Sequence, residues 1–332
     1  MESQMTHRER IRASLGGQEV DRVPVSMWRH FFDKESSPDG MAEAMLDFQR
    51  RYDWDFLKVN PRASYHAEGW GLRMRYDGDA PPQMVQTPVQ RPEDWLRVEP
   101  LPVDKGVLGD HLRALGMIGA GIGADVPFLM TVFTPISIAS RLAPSEEIFL
   151  QHLREHPEKV LSAVEAITDT FSRFVRACVE RGASGLFYAT TAWATTLHLT
   201  EEEYLRLARP SDLKLLTAVS GADFNILHVC RDRNMLSLLR DYPVHAFNWD
   251  VQGQGNPSLM EGKSMLEEKA VAGGLSHREA LVNATPQTLA VEVQGIKGTM
   301  VGNGWMLCPG CTITPETPEV NIRAIRQAVE AI

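Results

Sequence analysis

Cysteine is scarce: four in 332 residues, too few to staple a chain of this size and better suited to metal binding, catalysis or packing. Basic runs are absent. Asp and Glu outnumber Lys and Arg by 43 to 34, giving a net charge of −9 and a pI near 5.6. That balance argues against nucleic acid or a membrane surface and leaves a small molecule or a protein as partner. No apolar stretch reaches the roughly 18 residues a membrane span needs. Met1 to Arg12 is polar and charged, unlike a signal peptide, so a cytoplasmic location is expected. No repeat, low-complexity tract or Gly-x-Gly-x-x-Gly after the first strand occurs. Gly119-Ala120-Gly121-Ile122-Gly123 precedes a strand and reads as a flexible connection. What is present is ordinary globular composition, 43% hydrophobic and 23% charged, enough for one large core.

Short apolar runs alternate with amphipathic segments. The pattern predicts strands at Pro24–Trp28, Phe56–Asn60, Phe128–Phe133, Gly185–Thr190, Phe224–Cys230, Ala246–Trp249, Ala270–Gly274 and Thr299–Gly302. It predicts helices over Met41–Tyr52, Pro157–Arg181, Thr200–Val219, Met235–Asp241, Met260–Glu268, Pro286–Gln294 and Glu319–Ile332. Thr200 ahead of three glutamates is an N-cap signal, Pro286 suits a first helical turn, and Gly182 is a stop. Eight strands alternating with helices predict an α/β fold, a (β/α)8 TIM barrel forming one domain over 1–332. A doubly wound open sheet is the competing arrangement.

The chemistry concentrates in two places. In Leu227-His228-Val229-Cys230-Arg231, closing the fifth predicted strand, the period of two puts His228 and Cys230 on one side and Leu227 and Val229 on the other. Strand C-terminal ends carry the active site in such barrels. The second place is Cys308-Pro309-Gly310-Cys311, after the last predicted strand. Imidazole and thiolates at strand ends suit zinc, with three protein ligands leaving one position open. Cys308 and Cys311 also fit a redox pair or half of a structural zinc site, and His-x-Cys alone fits packing. Cys178, within a predicted helix, reads as a core residue. Trp28, His30, Asn60, Tyr65, Glu68, Tyr188, Trp193 and Asp250 fall near predicted strand ends and are candidate mouth residues. Trp70 and Trp305 read as core. Of the mouth group, Asp250 and His30 are the catalytic candidates and the other six the substrate-binding ones.

Arg10-Ile11-Arg12, Asp21-Arg22-Val23-Pro24-Val25, Asp55-Phe56-Leu57-Lys58-Val59, Glu68-Gly69-Trp70-Gly71 and Pro309-Gly310-Cys311-Thr312-Ile313-Thr314-Pro315 together resemble the uroporphyrinogen decarboxylase superfamily. The resemblance covers about residues 6 to 332 and implies a (β/α)8 barrel with an N-terminal helical extension. Members acting on porphyrinogens carry an Arg-Gln-x-Gly-Arg segment where this chain has Trp28-Arg29-His30-Phe31-Phe32. They have an aspartate near Pro61 or Arg62 and a Gly-His pair where this chain has Gly310-Cys311.

The sequence is closer to the zinc-dependent, corrinoid-linked methyltransferases of the superfamily, including coenzyme M methyltransferases and the O-demethylation enzymes. That resemblance implies Zn2+ on His228, Cys230 and Cys311, with Cys308 as an extra thiol that competes or assists. It implies methyl transfer between a thiol or aryl methyl ether and a corrinoid such as methylcobalamin. No Asp-x-His-x-x-Gly motif occurs, so the corrinoid is expected on a partner protein. The alternative is a metal-independent decarboxylase-like lyase, on a tetrapyrrole or smaller carboxylate. Arg231 stands where those relatives usually have glycine.

Overall fold

The computed structural model describes residues 4–300, 302 and 304–330. Nine strands occur among them: β1 (Leu57–Val59), β2 (Arg73–Asp77), β3 (Ala80–Gln86), β4 (Phe128–Phe133), β5 (Gly185–Ala189), β6 (Ile226–Val229), β7 (Ala246–Trp249), β8 (Ala270–Leu275) and β9 (Trp305–Pro309). Seven form one curled, wholly parallel sheet in the order β1-β4-β5-β6-β7-β8-β9, and β2 and β3 make a separate antiparallel hairpin. Helices cover the outer face of the sheet. The strands are buried along their length because both of their faces are packed, as parallel sheets require.

Two predicted strands are corrected. Pro24–Trp28 forms no ladder. It makes a single bridge from Val25 to Leu307, with Leu307 donating to Pro24 O (2.8 Å), Ser26 to Leu307 O (3.1 Å) and Asp55 to Val25 O (3.0 Å). The segment therefore bonds both to β9 and to the approach to β1. Thr299 and Met300 end a helix, Pro286–Met300, and the strand begins later, at Trp305; Val301 lies outside the described residues. β-Branched Thr299 and Val301 mimic a strand beside glycines, whereas Cys308 and Pro309 weaken the appearance of the real one.

Other boundaries shift for local reasons. Thr200–Val219 is two helices, Glu201–Leu207 and Arg209–Thr217, divided just before Pro210. Thr200 caps the first in a reciprocal capping box with Glu203. Met235–Asp241 is only a 3-10 turn, Leu236–Leu239. Gly119 and Gly121 are not a loop; they end a helix, Gly106–Gly121. A Cβ on Gly121 would sit 2.6 Å from Leu46, so glycine lets this helix lie close against Pro38–Tyr52. The helices Gly106–Gly121, Pro135–Ser140 and Glu146–Glu155 were not anticipated.

Inside the curl, alternate residues form an apolar plug: Phe56, Leu129, Phe187, Ile226, Ala246, Ala270, Met306 and Cys308 all belong to one buried cluster with Ile11 and Trp28. One period further along four of these segments the chemistry changes. Phe56 gives way to Lys58 and Asn60, Leu129 to Thr131, Ile226 to His228 and Cys230, and Ala246 to Asn248 and Asp250. The plug is thus a floor, and a polar chamber stands on it at the strand C-terminal ends. Among the described residues no helix is long and apolar enough to cross a membrane.

Candidate metal and substrate site

A pocket of about 450 Å³ opens over that floor, walled by Trp28, Phe133 and Phe187 and reached by His30, Lys58, Asn60, His228, Cys230, Asp250 and Cys311 among others. His228 and Cys230 arrive from the end of β6. Cys311 arrives from the turn after β9, where a Cβ on Gly310 would stand 2.8 Å from Asp250 Cα. Glycine there allows the turn to press against Asp250 and carry Cys311 inward. The ligand atoms of His228, Cys230 and Cys311 lie within 4.8 Å of one another.

The imidazole is set by its neighbour. Asn248 Nδ2 donates to Ala272 O (2.6 Å) and Pro309 O (3.0 Å), so its Oδ1 faces His228 Nδ1 at 2.6 Å as an acceptor. Nδ1 therefore carries the proton and Nε2 keeps its lone pair. Nε2 is buried and has no hydrogen-bond partner among the described residues. A buried, unanswered lone pair beside two thiols is a costly arrangement on its own and a suitable one for a cation. The Cys311 thiol is driven well below its ordinary pKa by the hydrogen bond from Cys230, against the opposing effect of burial. Cys230 is driven up correspondingly, because it donates that hydrogen bond and is buried. A thiol eased toward ionisation beside a second thiol and an imidazole suits soft metal ligation, which takes the thiolate.

Around the cluster, His30 Nδ1 meets the buried Glu35 carboxylate (2.8 Å), which also accepts from Phe31 N (2.8 Å). Asp250 is approached by Arg278 (3.5 Å) and His277 (3.9 Å) and accepts from Gln252 N. Arg231 follows Cys230 with φ +73°, a left-handed conformation in which glycine is unstrained and arginine is not.

Of the eight mouth residues expected from sequence, Trp28, His30, Asn60 and Asp250 line the pocket. The other four do not. Tyr188 points away beneath the helices, its hydroxyl on Asp212 (3.1 Å), because Phe187 and Ala189 take the inward positions. Trp193 is buried with Nε1 on Ser140 and its ring against Phe149. Tyr65 is buried with its hydroxyl on Thr131 O. Glu68 pairs with Arg62 and accepts from Tyr76 on β2, so it holds a pocket arginine without reaching the pocket. Cys308 belongs to the plug, where burial raises its thiol pKa. It stands apart from the cluster that gathers Cys311. Cys178 and Trp305 are core residues, as expected, and Trp70 is partly buried against the core. Lys58, Asn248, Glu35, His277 and Arg278 were not singled out from sequence. The available signal for Lys58 was a lysine inside an apolar strand, two residues from Asn60.

A family model described as uroporphyrinogen decarboxylase (URO-D) matches residues 6–332. The chain belongs to that family. Among curated relatives, the methylcobamide:CoM methyltransferase MtbA of Methanosarcina acetivorans is 22% identical over 97% of this chain and 96% of its own length. The methylcobamide:CoM methyltransferase MtaA of Methanosarcina barkeri is 23% identical over 97% of each. Among solved structures, a methyltransferase from Methanosarcina mazei superposes with a TM-score of 0.83 at 20% identity, covering 98% of both chains. This last likeness speaks to the fold.

Proposed function

We propose that this URO-D family member is a zinc-dependent methyltransferase. It moves a methyl group between a small substrate, a thiol or an aryl methyl ether, and a corrinoid carried by a partner protein. The observation that carries the reading is the convergence of His228, Cys230 and Cys311 within 4.8 Å, with a buried Nε2 left unanswered by the protein. The curated relatives named above, matched along nearly their whole length, support the methyl-transfer class. We also read the segment around Val25 as the eighth staple of a closed (β/α)8 barrel forming one domain, on the strength of its bonds to both β9 and the start of β1.

His228, Cys230 and Cys311 would hold the zinc, which as a Lewis acid lowers the charge on a heteroatom gaining or losing a methyl group. Asn248 holds the imidazole in the ligating tautomer. His30 lines the pocket with Glu35 as an orienting carboxylate, and we assign it the exchange of a proton with the substrate heteroatom. Asp250, held at the rim by Gln252 N and Arg278, is the second candidate for that role. The aromatic walls give a small flat molecule a dry seat, and 450 Å³ is at the low end for ligand pockets.

The test is the metal content of protein purified without chelators, by inductively coupled plasma mass spectrometry, with turnover assayed on methylcobalamin and thiols or aryl methyl ethers. About one zinc per chain, lost in both Cys230→Ala and Cys311→Ala together with methyl transfer, is the expected result. Zinc-free protein after incubation with zinc, or a Cys230→Ser variant keeping both zinc and activity, sinks the proposal.

A further inference from the structure

Four lysine or arginine side chains line the pocket: Lys58, Arg62, Arg231 and Arg278. Three have a carboxylate beside them. Arg62 pairs with Glu68, Arg231 with Glu146 (3.5 Å) and Arg278 with Asp250 (3.5 Å). Lys58 makes no ion pair among the described residues, although it is the most buried of the four at 4% exposure. Its ammonium makes one hydrogen bond, to Asn60 Oδ1 (2.8 Å). It lies over the ring faces of Phe187 (4.7 Å to the centroid) and Trp28 (5.6 Å).

Ring quadrupoles soften the burial of a cation without neutralising it. A buried charge with no counter-charge in ion-pair contact is costly to keep in a folded interior. Its retention at the floor of a pocket is explained if the missing counter-charge arrives with the ligand. The protein's own metal cluster does not supply it: a dication with two thiolates and a neutral imidazole is formally uncharged.

We propose that Lys58 is the anchor of a substrate subsite, receiving an oxyanion carried on a small, flat, apolar body that lies against Trp28 and Phe187. The proposal rests on the methyltransferase reading for the word substrate, but the subsite itself is argued from this pocket alone. The oxyanion supplies the acceptor that the remaining ammonium hydrogens lack, and the aromatic walls of the same pocket accept the ring. Burial lowers the Lys58 pKa to about 7, with Cys311 and Glu35 nearby pulling the other way. A bound oxyanion reinforces that pull and keeps the group an ammonium. A buried Lys in this position selects by charge where the walls select by shape.

Two ligands of one shape separate these contributions: 4-methoxybenzoate and 4-methoxybenzamide. Each is titrated calorimetrically into the zinc-loaded full chain, into Lys58→Met and into Lys58→Arg, with folding checked by circular dichroism. The carboxylate should bind the wild type at least tenfold more tightly than the amide. Lys58→Met should erase that preference, and Lys58→Arg should keep part of it, which a purely structural role does not predict. Equal binding of the two probes, binding of neither, or a preference unchanged in Lys58→Met overturns the proposal.

Repeating the titration in Cys311→Ala separates it from the reading beneath it. A Lys58-dependent preference in protein that never binds zinc leaves the subsite standing and removes the methyltransferase. Zinc with methyl transfer but no such preference does the reverse. A preference that vanishes in Cys311→Ala while surviving in Lys58→Met places the carboxylate on the metal and overturns the subsite.

Discussion

Asp55 and Lys58 are three residues apart, one just ahead of β1 and one within it, and both are buried. Their surroundings are opposite. Asp55 receives Arg10 (2.6 Å), Arg22 through two nitrogens (2.6 and 3.0 Å), Val25 N (2.8 Å) and His7 (3.1 Å). Lys58 has one amide oxygen and two ring faces. At the N-terminal end of the strands the fold answers a buried charge with charge-assisted bonds, and Arg10 and Arg22 thereby tie the first helix and the Val25 segment to the sheet. At the C-terminal end it leaves an ammonium and an imidazole lone pair open. Answered charges gather at one end of the strands and unanswered polar groups at the other, the division that parallel α/β barrels make between stability and binding.

The largest effect belongs to the open end. Cys311→Ala should abolish zinc binding and lower methyl transfer on the order of a thousandfold, the several kcal/mol a Lewis acid supplies, while its unfolding midpoint in metal-free buffer stays near wild type. Elemental analysis and urea denaturation report the two quantities separately. At the answered end the pattern should invert. Asp55→Asn leaves Arg10 and Arg22 buried without their carboxylate and should cost about 3–5 kcal/mol, with zinc stoichiometry unchanged in the protein that remains folded. If Asp55→Asn empties the metal site at full stability, the two ends are not the separate regions described here.

Asn248 probes the boundary. Replacing it by leucine removes the acceptor that fixes the His228 tautomer and should weaken zinc about 10–100-fold, read by competition with a chelator. Acid offers a milder probe. Burial pushes the Asp55 carboxyl up, but the bonds from His7, Arg22 and Val25 prevail and hold it at about 2, below its ordinary 3.8. Its contribution, on the order of 2 kcal/mol, is therefore complete above pH 3.8 and lost as the pH falls toward 2. Urea midpoints measured from pH 5 to pH 2 should fall more steeply for wild type than for Asp55→Asn; parallel curves would falsify this assignment.

The convergence of His228, Cys230 and Cys311 was legible in the sequence because its chemistry is local. His228 and Cys230 share a strand at a spacing of two, and soft donors are rare enough here to stand out. The mouth was half legible. Tyr188 failed on parity, since Phe187 and Ala189 on either side take the inward positions, and an apolar strand buried on both faces gives no polar marker of which face is which. Cys308 was left open between assisting and replacing Cys311: three residues away in sequence, it lies in the plug because the chain turns at Pro309 and Gly310. The hairpin of β2 and β3 escaped notice because its exposed strands carry charges and two prolines in place of clean alternation. Lys58 was visible only as part of a family-like string. Its meaning depends on which groups stand opposite it, and those come from distant parts of the chain.

The smallest expected effect is the most discriminating, because it has the opposite sign. If Lys58 is retained for a ligand and not for the fold, Lys58→Met should not destabilise the ligand-free protein. Methionine keeps the length and flexibility of the stem, tolerates contact with Phe187 and Trp28, and carries no charge to desolvate. It forfeits one hydrogen bond to Asn60, worth about 1 kcal/mol, and an aromatic–cation contact of similar size. Against this stands the cost of holding an unpaired ammonium away from water, which replacements of buried ionic groups by apolar ones show to be about 1–4 kcal/mol. The balance favours the variant, with a gain of about 1 kcal/mol in unfolding free energy without ligand, read from urea denaturation. A loss of 2 kcal/mol or more would mean that Lys58 holds β1 in place as Asp55 does, and the contrast between the two ends would collapse.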